Sequence, residues 1–92
     1  MAHRKKIEDV MRPVVGQFYP LGVLWEGNFP GLRFPSEGAA RWFIRGNRDA
    51  LVRAKALVLD SGRWLVNPER FAKVREDVAG ARAENRVAGS AA

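Results

Sequence analysis

Seven basic residues crowd into one third of the chain. Residues 33–63 carry Arg33, Arg41, Arg45, Arg48, Arg53, Lys55 and Arg63 against Glu37, Asp49 and Asp60, a local excess of +4 in a chain of 92 residues with net charge +6. The basic start Arg4-Lys5-Lys6 adds to this excess, whereas residues 64–92 are nearly balanced. Guanidinium and ammonium groups gathered in this way do one kind of chemistry: they neutralise a polyanion. The same charges also serve as an ordinary soluble surface, so charge alone leaves both readings open.

Other chemistries lack their residues. Cysteine is absent and His3 is the only histidine, which leaves no disulfide, thiolate zinc site, His-based metal site or catalytic triad. Gly27-Asn28-Phe29-Pro30-Gly31 lacks the Lys-Ser/Thr that completes a phosphate loop. The acidic residues show no paired spacing in an apolar setting. The sequence therefore predicts no catalytic residue, no cofactor and no metal. A chain of this length makes one small domain with a modest core, better suited to a binding surface than to a deep pocket. No apolar run approaches the roughly 18–20 residues that span a bilayer. The basic N-terminus has no apolar stretch after it, so it does not read as a signal peptide. A cytoplasmic protein without a membrane partner is expected.

Several elements must position these charges. Ile7, Val10 and Met11 predict a short helix from Arg4 to Met11, ended by Pro13. Residues 16–35 mix breakers with large apolar residues and read as an ordered, extended segment over the core, with a strand at Val23–Trp25 and a turn at Gly27-Asn28. Ser36 caps a helix whose buried face includes Ala40, Phe43 and Ile44, with Arg41 and Arg45 one turn apart on another face. Gly46 stops it and Asn47 caps a second helix running to Lys55, with Leu51, Val52 and Ala54 inward. Asp49, four residues before Arg53, can pair with it. Leu57–Leu59 and Arg63–Val66 flank Asp60-Ser61-Gly62 and read as a hairpin. Asn67 and Pro68 open a last helix with Phe71, Val74 and Val78 inward, ending at Gly80. On that helix Arg70, Lys73 and Arg75 alternate with Glu69, Glu76 and Asp77, an ordinary solvated face. Trp42, Phe43 and Trp64 are expected in the core; Trp25 either caps the core or is exposed to a partner. Residues 1–80 form the domain, and 81–92, with one sizeable apolar side chain, form a disordered tail.

The order helix, turn, helix, hairpin, helix is that of a small α+β winged helix-turn-helix. The 37 residues from Pro35 to Phe71 resemble small helix-turn-helix proteins of bacterial phages, plasmids and integrative elements, and more loosely the excisionase and MerR-type families. Ser36-Glu37-Gly38-Ala39-Ala40 is similar to the opening of their first helix. Gly62-Arg63-Trp64-Leu65-Val66-Asn67-Pro68 is similar to the second wing strand leading into a closing helix that Phe71 anchors. Only fourteen residues, Arg48 to Ser61, separate the second helix's cap from Gly62, fewer than those families carry.

The resemblance implies binding to double-stranded DNA. Asn47 and Arg48 would lie near base edges in the major groove, where arginine pairs with guanine and asparagine with adenine. Arg53 and Lys55 would face the duplex further along. Arg41 and Arg45 would hold the backbone, Ser61 and Arg63 would form the wing tip, and Arg4, Lys5 and Lys6 would add salt-dependent affinity. It further implies a transcriptional regulator, or an accessory factor that bends DNA for recombination with an integrase as partner. A homodimer or a cooperative array is expected, because one short recognition helix specifies little. The alternative is a protein-interaction module, an adaptor or anti-repressor, working through residues 16–35. RNA binding needs exposed stacking aromatics, for which Tyr19 and Trp25 are the candidates.

Overall fold

The computed structural model describes residues 8–91 and is an α+β structure. In chain order its elements are β1 (Tyr19–Pro20), α1 (Val23–Glu26), α2 (Glu37–Arg53), β2 (Leu57–Asp60), β3 (Arg63–Val66) and α3 (Pro68–Ala91); residues 8–10 are also helical. The three strands form one antiparallel sheet in the order β1-β3-β2.

α2 begins where the sequence predicts. Ser36 is in extended backbone and its Oγ accepts a hydrogen bond from the Ala39 N–H at 3.1 Å. Glu37 in the first turn and Arg53 in the last complement the helix dipole. Gly46 keeps helical backbone, and the two helical segments expected on either side of the Gly-Asn pair meet directly at a kink one residue later, with no loop between them. The helix is kinked at Asn47 (φ −133°, ψ 23°), whose side-chain Nδ2 donates to the Phe43 carbonyl at 2.9 Å. A side chain entering the backbone ladder is a sufficient cause of a kink. Gly46 keeps a φ that any residue adopts, so its glycine is not needed for a turn.

The helix ends in a Schellman motif. Lys55 takes a left-handed conformation (φ 58°), its N–H donates to Val52 O at 3.0 Å, and Ala56 N–H donates to Leu51 O at 2.9 Å. Those two bonds satisfy carbonyls of the last turn, and buried Ala56 and Leu51 make the apolar pair that accompanies the motif.

The hairpin follows at once. Asp60 pairs with Arg63, and the two residues between them, Ser61 (φ 51°) and Gly62 (φ 76°), both have positive φ. That is the two-residue turn whose twist matches the flanking strands. Leu57 opposes Val66 and Leu59 opposes Trp64, so these four side chains share one face of the sheet. Asn67 N–H closes the base of the hairpin on Ala56 O at 2.8 Å, while its Oδ1 accepts from Arg70 N–H at 3.1 Å and caps α3.

The core lies between α2, α3 and the hairpin base, and residues 16–35 reach into it. Val23, Leu24, Leu32 and Phe34 are buried together with Ala40, Ile44, Leu51, Leu57, Val66, Phe71 and Val74. Phe34, Phe43 and Phe71 pack as a triangle with centroids 5.6–6.0 Å apart. Val23–Trp25, expected as a strand, is the helical turn α1, with Gly27 N–H bonded to Val23 O at 3.1 Å. The strand of this segment is Tyr19–Pro20 instead, paired to Val66 and Leu65.

Three further expectations change. Trp42 is 68% exposed and Trp64 is 38% exposed, so neither is a core residue, whereas Phe43 is half-buried against the core. Val52 and Ala54 are exposed, and Leu51 alone carries the inner side of that turn. α3 continues through Gly80, and the segment expected as a disordered tail is helical to Ala91, although its residues 79–88 are all exposed.

Candidate nucleic-acid interface

α2 sorts its side chains by angle. Ala40, Ile44 and Leu51 face the core, and Arg41, Arg45 and Arg48 follow at i, i+4 and i+7 along one exposed flank. Arg41 and Arg45 lie one turn apart before the kink, about 6 Å of rise, and Arg48 follows it.

These three guanidinium groups are held to different degrees. Arg41 Nε donates to Glu37 Oε2 at 2.6 Å, and its Cζ lies 5.7 Å from the Trp25 ring centroid. Trp25 itself is half-buried. Arg48 lies over Trp64 at 5.8 Å. Arg45 has no ion pair among the described residues, nor has Arg48. The Glu37–Arg41 pair is exposed on both sides and contributes little to stability. Its effect is on orientation, because it fixes one end of the flank.

The flank and the hairpin enclose a groove. Leu21, Ile44 and Leu57 form its floor, Trp64 a wall, and Arg41, Arg45 and Arg48 its rim. A second hollow of about 390 Å³ follows the kink and is lined by residues 45–50 and Arg53. Arg45 and Arg48 thus border both.

The other expected residues fall elsewhere. Asn47 is half-buried and stands at the start of the second helical segment, as expected, but its amide N–H is committed back to the Phe43 carbonyl across the kink. Arg53 lines the kink hollow, and its expected pairing with Asp49 is not made among the described residues. Lys55 lies beyond the flank in the left-handed cap, and its carbonyl accepts from Arg70 Nη1 at 3.4 Å. Ser61 and Arg63 are exposed at the hairpin tip. By the alternation of β3, Arg63 lies on the opposite sheet face from Trp64, so it flanks the hairpin and does not enter the groove. Arg4, Lys5 and Lys6 lie outside the described residues.

Trp25 and Trp64 stand beside Arg41 and Arg48, which the sequence does not predict. The sequence does hold a faint signal for Trp64: it sits two residues after the turn glycine, where a hairpin leaves the domain. No group of residues suited to a metal ion occurs among the described residues, and no described helix is long and apolar enough to cross a membrane. No protein-family model, curated protein or solved structure matches the chain. The reading of the site rests on these residues.

Proposed function

We propose that the protein binds double-stranded DNA through the Arg41–Arg45–Arg48 flank of α2, with the β2–β3 hairpin as a wing. The observation that carries this reading is the flank itself. Three exposed guanidinium groups rim one groove, and among the described residues only Arg41 meets a carboxylate. Arginines in that state contact phosphates or pair bidentately with guanine. Arg63 and Ser61 at the hairpin tip extend the contact to an adjoining groove or phosphate. Asn47 is left out of base reading because its amide is used within the helix.

The winged-helix resemblance supports a sequence-specific role in a mobile element, as a transcriptional regulator or as a recombination accessory factor. One short flank specifies few bases, so binding as a dimer or in arrays on repeated sites fits this role. Fluorescence anisotropy against a labelled duplex at two salt concentrations tests the reading. Four phosphate contacts give a slope near −3.6, so affinity falls roughly 100-fold between about 50 and 200 mM salt. No binding at the lower salt overturns it.

One observation favours the second reading, a protein-interaction module. Gln17, Tyr19, Phe29 and Pro30 of residues 16–35 border a hollow of about 440 Å³ together with Asn67 and Glu69. Val23, Leu24, Leu32 and Phe34 of that segment are core, which narrows the surface this reading can use.

A further inference from the structure

The groove beside the arginine flank has a floor as well as a rim. Its floor and wall are apolar or aromatic, from Leu21, Ile44, Leu57 and Trp64, and no carboxylate lines it. Its volume is about 140 Å³. A protein cavity of roughly 150 Å³ takes one benzene-sized ring, and drug-sized ligands occupy roughly 300 Å³ or more. The groove therefore suits a single ring system. An anionic group attached to that ring would leave the mouth among Arg41, Arg45 and Arg48. Arg48 lies over the Trp64 indole at 5.8 Å, so a planar group entering beside that ring meets the indole and the guanidinium together.

We propose that this groove accepts one unpaired nucleotide of DNA. The base lies against Leu21, Leu57 and Trp64, and its phosphate meets the arginine rim. The inference rests on the arginine flank being the DNA-binding surface, and it adds a preference that the flank alone does not give. A base stacked and paired within a duplex cannot enter. A base that is bulged, overhanging or extruded at a kink can, with little or no unpairing to offset. The protein therefore prefers DNA that is locally opened over DNA that is fully paired.

The test compares a short paired duplex with the same duplex carrying one unpaired nucleotide, by anisotropy with the full chain. Stacking of one base on an aromatic side chain is worth about 5- to 150-fold in affinity. The bulged duplex is expected to bind tighter by a factor in that range. Trp64→Leu, which removes the stack, and Leu21→Phe, which fills the groove, each bring the ratio of the two affinities towards one. The ratio remains readable in Leu21→Phe if Trp64→Leu weakens the hairpin. Deoxyadenosine monophosphate added as competitor separates the two sources of ligand. Displacement shows that a free nucleotide suffices, and a retained preference without displacement shows that the nucleotide must belong to a strand; either supports the site. Equal affinity for the two duplexes overturns the proposal and leaves the flank reading standing. A preference that both variants keep also overturns it, because the preference then arises elsewhere. Binding of the bulged duplex alone supports the groove and overturns the duplex reading, and binding of neither overturns both.

Discussion

α2 and α3 are both long, exposed helices with several arginines, yet they use them in opposite ways. On α3, Arg70 donates to the Lys55 carbonyl, and Arg75 donates to the Arg33 carbonyl at 3.5 Å while lying 4.2 Å over Phe34. Lys73 pairs with Asp77 at 3.7 Å. These cations tie α3 to neighbouring backbone and to its own carboxylate. On α2, Arg45 and Arg48 make no ion pair among the described residues, and Arg41 makes one at the edge of the row. Counting positive charge does not separate the helices. What separates Arg45 and Arg48 from Arg70 and Arg75 is whether the guanidinium already donates to a group inside the molecule.

The widest test of that difference reverses the α2 charges. Arg45→Glu together with Arg48→Glu is expected to lower duplex affinity by about 100-fold or more. Its unfolding midpoint in urea should stay close to wild type, because neither side chain is buried. A large loss of stability with little loss of binding would show that α2 uses its arginines as α3 does.

Single truncations refine the comparison. Arg48→Ala is expected to cost roughly 10-fold in affinity and to reduce the salt slope by about one. Arg75→Ala should do the reverse. It loses a hydrogen bond and a cation–π contact, about 1–2 kcal/mol of stability, and leaves duplex affinity within about twofold, a bound set by the ordinary spread of surface substitutions. Urea unfolding and anisotropy on the two variants check both halves. If Arg75→Ala weakened DNA binding as much as Arg48→Ala, the division between the helices would fail.

How much of this was legible in the sequence follows from how local each signal is. The Ser36 cap, the Ser61-Gly62 turn and the Asn67-Pro68 start of α3 each depend on a few adjacent residues, and all are found where the sequence puts them. α1 reads as a strand in the sequence because three apolar residues, Val23, Leu24 and Trp25, between glycines carry no period of their own. Its helical turn is set by burial of Val23 and Leu24 against distant elements. Trp42 and Trp64 were misplaced for a related reason. Large aromatics are normally buried, but here Ile44, Leu65 and Val66 occupy the interior beside them, and no local pattern reports that. The last turns of α3 were read as disordered for want of burial, although alanine, arginine and glutamate favour a helix without it. At the site, the row of arginines was visible in the sequence. Its partners Trp25 and Trp64 come from other elements and were not.

The two helical segments of α2 meet at a kink with no loop between them, and two small substitutions test that junction. A glycine in a left-handed turn cannot become alanine without strain, whereas a glycine inside a helix gains from it. Gly46 itself keeps helical backbone beside the non-helical Asn47 and has open space where a Cβ would stand. Gly46→Ala is therefore expected to stabilise the protein by about 0.5–1 kcal/mol. Lys55 presents the converse case, a side chain where the backbone is left-handed. Lys55→Gly relieves that strain in the Schellman cap and should stabilise by at most about 1 kcal/mol. Both shifts are measurable as changes in urea midpoint at constant slope. Destabilisation by Gly46→Ala with stabilisation by Lys55→Gly would mean a left-handed turn at Gly46. Arg41 and Arg45 precede the kink and Arg48 follows it, so a loop opened at that junction would move Arg48 out of the row.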